Sequence, residues 1–389
     1  LNSINKVLFI TVIFVSMLSQ AIAIRLNIIL IMAQLIKRGL GQQRIIKLNS
    51  VQPVMALLFS VLIITPVSAF QTSAEVIRTQ LMNANSPQVL VVAHRAAWKQ
   101  APENSLLSIE HAIDIGVDII EVDIRRTKDG EFVLMHDRSL NRTTNGKGKV
   151  ADKTWAELQS LRLKNTDGSL SNEVIPHLRD ALAQIKDKVL IDLDKAEPYF
   201  AEVLAVVRET GTERQVILKG KKGYSKAMVT LNKLGDFQGI YMPKFNFSDK
   251  TKKRKKAKKK AQYAEQDTMA PTMPPTMTAL PKQPLISDIK RHNSDDWYAG
   301  IEGSVMAEIK FSTITQPQIQ PEVFKAITSK YRLWVNTLKV SHSANFTDKR
   351  ALKKPDAVWG ELIKMGNSVI QTDEPRALLT YLRTMKYHD

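Results

Sequence analysis

Eight short β-branched runs, separated by stretches of helical periodicity, constrain this 389-residue chain more than any other feature it carries. The runs read as strands lie at 89–95, 119–127, 189–194, 215–219, 239–245, 305–311, 333–338 and 368–373. Helical patterns fall over 105–115, a region spanning 155–186, 199–209, 225–234, 321–330, 357–365 and 375–385. Strand and helix in alternation build a parallel sheet covered by helices. Eight such units suggest closure, so the expected fold is an α/β (βα)8 TIM barrel over 86–389, with an open doubly wound sheet as the competing architecture. Two departures from the repeat are visible. Asp129 and Gly130 form a two-residue hairpin signal, which predicts that 131–136 folds back on the second strand as a small excursion. Residues 246–284 combine a Lys/Arg run with a Met, Pro and Thr tract, and read as a disordered basic insertion.

The formal charge of +18 is unevenly placed. Residues 1–70 hold six basic side chains and no acidic one, and 251–260 hold eight more; taking both away leaves +4 for the rest. The body of the protein is therefore not a polycation, and no nucleic-acid partner is expected. The absence of cysteine excludes disulfides, thiolate metal sites and a cysteine nucleophile. Lys37, Arg38, Arg44 and Lys47 precede the apolar run 54–64 and the small-residue stretch 65–69, the order of an export signal cleaved near Ala69 or Ala74. A periplasmic or secreted protein is expected. A second apolar run at 7–36 reads either as a membrane anchor or as an over-extended gene start, Met32 opening a signal of conventional length.

Polar residues gather where the strands end. His94 and Arg95 close the first strand, Glu121 and Asp123 sit on the second, and His136 and Asp137 end the hairpin. Chemistry in such barrels collects at the carboxyl ends of the strands, where loops converge over the opening. Glu121 and Asp123 are two apart on a strand and share a face, which two unpaired carboxylates occupy only at a cost. A divalent cation with oxygen ligands relieves it, with Asp192 or Asp194 on the third strand as the third carboxylate. The plain alternative is salt bridging to Arg125, Arg126 or Lys195. The imidazoles of His94 and His136 can share the roles of general base and general acid. Arg95 presents a planar fork suited to phosphate oxygens. In the first helix, Asn104 or Ser105 is expected as the N-cap, and Glu103 could reach the metal or its water.

Taken in order, His94-Arg95, the Pro102 to Ser105 block, Glu121 and Asp123, the Thr127 to Gly130 block and His136-Asp137 resemble the glycerophosphodiester phosphodiesterase family. The resemblance covers about 45 contiguous residues, with weaker echoes at Trp334 to Thr337 and Thr372 to Pro375. It implies a TIM barrel, one Ca²⁺ or Mg²⁺ ion, His94 and His136 as acid and base, and Arg95 on the phosphate. Trp334 is a candidate positioning residue on the same grounds. Ala96 stands where the family usually has Gly, and Ser105 where Thr is commoner. On the third strand the family typically has Glu and Lys two residues apart, whereas Asp192, Leu193, Asp194 and Lys195 follow one another here. A subset of related sequences leaves the second Asp as the carboxylate, which favours Asp194 over Asp192 and leaves Lys195 to supply the positive charge at the phosphate.

The expected activity is metal-dependent hydrolysis of glycerophosphodiesters, small-molecule substrates, to glycerol phosphate and an alcohol. One rival is a phospholipase-type enzyme acting on lipid head groups. Another is a non-catalytic anionic-surface binder using the Lys-rich run, and that run at 251–260 could also bring the enzyme to an anionic membrane. No aromatic residues interleave with those lysines as a single-strand nucleic-acid platform would require.

Overall fold

In the computed structural model, residues 72–247 and 297–389 are described, all within one compact unit. The expected export signal and anchor, and the expected insertion from residue 248 onward, lie outside the described residues. No helix among the described residues is long and apolar enough to cross a membrane.

The eight expected strands are β1 (Leu90–His94), β2 (Ile119–Arg126), β6 (Leu190–Asp194), β7 (Val216–Gly220), β8 (Ile240–Phe247), β9 (Met306–Phe311), β10 (Arg332–Asn336) and β11 (Asn367–Thr372). Each is parallel to its neighbours, and β1 pairs with both β2 and β11, so the sheet closes and the open architecture is excluded. β8 runs two residues further than expected, taking Asn246 and Phe247 from the assigned insertion.

Period-two alternation explains the layering. Leu90, Ile119, Leu190, Ile217, Ile240, Met306 and Val369 belong to one buried apolar cluster at the lower end of the barrel interior. The intervening residues, such as Val91, Ile120, Ile191 and Leu218, pack with helix residues such as Ile109, Leu182, Val203 and Leu378 in the outer layer. Two or four positions further along each strand the inward sites turn polar. His94, Glu121, Asp123, Asp194, Lys219, Lys244 and Glu308 all reach one cavity there.

The amino-terminal helix α1 (Ser73–Met82) contributes Leu81 to the lower cluster. Arg332 fastens the segment behind it. Its fully buried guanidinium donates to the carbonyls of Gln80, Asn83 and Ser86 (3.3, 3.3 and 3.4 Å), of Gln88 (2.7 Å) and of Ser368 (3.1 Å). Burial pushes it down to about 10, still fully charged at neutral pH. Arg332→Met strands these carbonyls and is expected to cost about 3 kcal/mol, read as a lower urea midpoint. An unchanged midpoint would show that the linker is held by other contacts.

The main correction lies between β2 and β6. Helix was expected across 155–186, but the chain forms a short helix α3 (Trp155–Leu158), a hairpin of β4 (Arg162–Lys164) and β5 (Leu170–Val174), and only then α4 (Leu178–Ile185). Asn165 and Gly168 make the turn. The Asn165 N–H donates to Ser169 (2.8 Å), and Gly168 takes a φ of 88°. Pro176 precedes the helix, and His177 caps it by accepting from the Arg179 N–H. The excursion is therefore larger than a hairpin. β3 (Phe132–Leu134) pairs antiparallel with β2 as expected, and Val133, Met135, Leu140, Val150, Leu158, Leu163 and Ile175 form a small core of their own.

Candidate active site

The carboxyl ends of β1, β2 and β6 bring the acidic group together. Parallel pairing sets Glu121 opposite Asp192 and Asp123 opposite Asp194. Glu121, Asp123 and Asp194 each offer a carboxylate oxygen within 4.8 Å of the others. Asp192 lies one layer below Asp194, fully buried, with Oδ2 2.6 Å from the Lys219 ammonium and Oδ1 without a hydrogen-bond partner. The oxygen-only donor set of Glu121, Asp123 and Asp194 suits a hard divalent cation.

Burial and the neighbouring Asp123 charge push the Glu121 carboxyl up. Asp123 is pushed up by burial too, but the charges of Lys195 and His136 outweigh this and hold it below the usual range. For Asp194, burial is overcome by Lys219, Lys244 and Lys195, which drive it well below. Burial raises Asp192 against the pull of Lys219. Lys219 itself, although buried, is held firmly charged by Asp192, Asp194, Glu308 and Glu121. Part of the plain alternative is thus realised. Lys195 is ion-paired with Asp123 and is not among the cavity-lining residues. Arg125 instead donates to the carbonyls of His136 and Asp137, fixing the end of the hairpin.

Each histidine rests on a carboxylate. His94 Nδ1 lies 2.7 Å from Asp373 Oδ1, which also accepts from Trp98 Nε1 at 2.7 Å. Burial pushes Asp373 up, but these hydrogen bonds and the charges of His94 and Lys99 outweigh it and keep the carboxyl low. His136 Nδ1 lies 2.6 Å from Asp137 Oδ1, and Arg142 grips Asp137 at 2.7 and 3.1 Å, holding it well below its ordinary value. An ionised carboxylate only accepts, so each imidazole carries a proton on Nδ1 and keeps Nε2 for chemistry. Burial pushes His136 down despite the nearby Asp123 and Asp137.

Arg95 is positioned from two sides. Its N–H donates to Glu121 Oε2 (3.0 Å), and its guanidinium donates to both Glu103 oxygens at 3.1 Å. Glu103 also takes a two-point contact from Arg142 (2.7 and 2.8 Å), which outweighs burial and keeps it ionised. Glu103 is thus engaged with two arginines and does not line the cavity. Ser105 is the N-cap of α2 (Leu106–Ile115), accepting from the Ser108 N–H. Asn104 instead clasps Asp123, accepting its N–H at 3.0 Å and donating to Oδ2 at 3.3 Å.

Arg95, Ala96, Asn104 and Lys195 all adopt positive φ, and Ala96, at 61°, stands where the family usually has Gly. An L-residue there is strained by about 1–2 kcal/mol, of which the entropy cost of Gly returns part. Ala96→Gly is therefore expected to stabilise the fold by roughly 0.5–1 kcal/mol, a rise of about 2 °C in Tm. A lower Tm would count against strain at this site.

The site residues line a cavity of about 130 Å³. Several of its walls were not singled out from the sequence: Lys219, Lys244, Glu308, Lys310 and Asn336. The signal was available, since each lies on the inward period of its strand. Trp334 is buried beneath them, donating to Asn336 Oδ1 (3.0 Å) and Gln371 Oε1 (3.2 Å), with the Lys219 ammonium 5.8 Å from its ring. Asn336 in turn donates to Glu308 Oε1 (2.8 Å). The Thr337 and Thr372 hydroxyls both reach Asp348, which accepts the Asp373 N–H at 2.8 Å, so the two weaker sequence echoes hold the partner of His94.

The family model described as the glycerophosphoryl diester phosphodiesterase family matches residues 94–295, and a domain of unknown function matches 282–382. A glycerophosphodiester phosphodiesterase of Caldanaerobacter subterraneus is 34% identical over 146 residues, 36% of this chain and 60% of that protein. One from Bacillus subtilis is 35% identical over 165 residues, 41% of this chain and 52% of that protein. The chain thus spans about half to three-fifths of these curated relatives. A glycerophosphoryl diester phosphodiesterase structure from Parabacteroides distasonis shares the fold, with a TM-score of 0.54 at 22% identity, covering 81% of this chain and 93% of that one. With the family match spanning half of the sequence and opening on the His94 that Asp373 orients, the chain belongs to the glycerophosphoryl diester phosphodiesterase family.

Proposed function

We propose that the protein hydrolyses glycerophosphodiesters to glycerol phosphate and an alcohol, with one divalent cation, Ca²⁺ or Mg²⁺, held by Glu121, Asp123 and Asp194. The observation that carries this reading is the pair of carboxylate-oriented histidines facing one cavity with Arg95 and three clustered carboxylates. The bound cation would supply Lewis-acid stabilisation of charge on a phosphate oxygen. Arg95, held by Glu103, neutralises the phosphoryl group as its charge develops. His136, neutral through burial, is in the form a base requires and takes the proton of the attacking water or hydroxyl. His94 then donates to the departing alcohol oxygen, so one P–O bond forms as the other breaks. Lys219 and Lys195 are both ion-paired, with Asp192 and Asp123, but Lys219 lines the cavity and Lys195 does not, which favours Lys219 as the lysine that meets a phosphate oxygen.

The test is a panel of soluble glycerophosphodiesters assayed with chelator, Ca²⁺ or Mg²⁺. Released alcohol and glycerol phosphate in the presence of either ion supports the proposal, and activity confined to bilayers or micelles replaces it with the lipid-head-group reading. Export belongs to the same proposal, since the basic n-region, apolar run and small residues of 37–69 support it. Fractionation of cells making the full chain checks this.

A further inference from the structure

One wall of the cavity carries the carboxylate cluster, and the wall across from it, Glu308 apart, carries cations and an imidazole. In the closed ring, β9 is four places from β2 and β10 is four places from β6, so the strands bearing the carboxylate group look across the opening at β9 and β10. From that far wall come Lys310 on β9 and Lys339 and His342 after β10, with Lys244 beside them on β8.

Two of these cations have carboxylate partners, and among the described residues the third has none. Lys310 sits 3.0 Å from Glu308 Oε1, an oxygen already receiving Asn336. Lys244 is 3.3 Å from Asp194, a carboxylate for which a bound cation would compete. Lys339 is exposed, and its side chain makes no hydrogen bond or ion pair among the described residues. His342 Nδ1 is buried with no hydrogen-bond partner. Burial, reinforced by Lys310 and Lys339, pushes that imidazole down to about 4, so at neutral pH it can offer an N–H without adding charge. Balancing the acids requires no such donor. A negatively charged group entering from the acidic side would meet all of them.

Building on the phosphodiesterase reading, we propose that Lys310, Lys339 and His342 form a subsite for a second anionic group, a phosphate monoester or a carboxylate, on the alcohol moiety of the diester. The scissile phosphate lies near Arg95 and the histidines, and the second anion reaches the opposite wall. Lys244, between the two, follows whichever anion is nearer. Selectivity for doubly charged diesters then resides in KM, because this subsite holds a part of the substrate that does not react.

Three substrates test this with the full chain and Mg²⁺: glycerophosphoglycerol, its analogue carrying a phosphate monoester on the distal glycerol, and a glycerophosphodiester of glycolate. The expected result is a kcat/KM about tenfold higher for at least one of the charged substrates than for the neutral one, the scale of one charge-assisted contact. In Lys339→Gln that ratio should fall toward one through KM, and Lys339→Arg should restore it. Lys339 is exposed, so the variant is not expected to disturb folding. Preference for the phosphate alone, or for the carboxylate alone, supports the subsite and identifies its anion. Ratios near one in the unaltered protein, or a ratio that Lys339→Gln leaves in place, overturn the subsite while the phosphodiesterase reading stands. Failure to hydrolyse any of the three overturns that reading itself.

Discussion

His94→Ala and His136→Ala are each expected to lower kcat by about a thousandfold, with the fold intact and metal binding retained. The size follows from the leaving group. An alkoxide departs poorly unless protonated, and a water or hydroxyl attacks poorly unless its proton is taken, so each imidazole stands at a proton that has to move. Neither ring is a core residue, since the side chains are 17% and 36% exposed, and truncation should cost little stability. Asp373→Asn should give a smaller loss of the same kind, because it leaves His94 in place but replaces the charged acceptor of its Nδ1 proton with a neutral amide. Steady-state kinetics on soluble diesters, paired with thermal unfolding, reads this directly. A histidine variant keeping most of its turnover would refute the acid and base assignment.

Asp194→Asn and Asp192→Asn are expected to fail in different ways, and the contrast decides the third ligand. Asp194 offers its oxygen to the group it forms with Glu121 and Asp123, so its loss should weaken Mg²⁺ or Ca²⁺ binding about a hundredfold or more, measured by calorimetry on the purified chain. Asp192 is the 2.6 Å partner of a lysine that is 4% exposed. Burial raises its carboxyl to about 8, so Asp192→Asn removes a hydrogen-bonding partner of the buried ammonium more than a charge, and a loss of about 1–3 kcal/mol in folding stability is expected. If Asp192→Asn abolished metal binding and left the melting temperature alone, the ligand would be Asp192 and the cavity geometry would have to be redrawn.

The direct strand alignment with the family points to Asp192, whereas the folded barrel groups Asp194 with Glu121 and Asp123. The difference is one pleat layer. Counted from the barrel floor, Asp192 stands level with Glu121 and Asp194 with Asp123, and the choice turns on where neighbouring lysines lie. Lys219 comes from the next strand and claims the lower carboxylate, and nothing in the Asp192 to Lys195 segment announces it.

What the sequence alone determined is local or periodic. Strand positions were legible because inward and outward residues alternate, and the His94 to Asp137 motif was legible because one βα unit and one hairpin keep its members close in the chain. The return of His136 toward β2 followed from Asp129 and Gly130, a turn that needs only its own residues. Tertiary structure alone decided what depends on chain closure. Asp373 reaches His94 across 279 positions, Lys219 meets Asp192 from a neighbouring strand, and Arg142 joins Asp137 to Glu103. The β4–β5 hairpin was hidden for a related reason. Its strands have mostly half-exposed or exposed side chains, so burial imprints no clear alternation on them, and they are held by pairing with each other and by a small core that exists only once β3 has folded back.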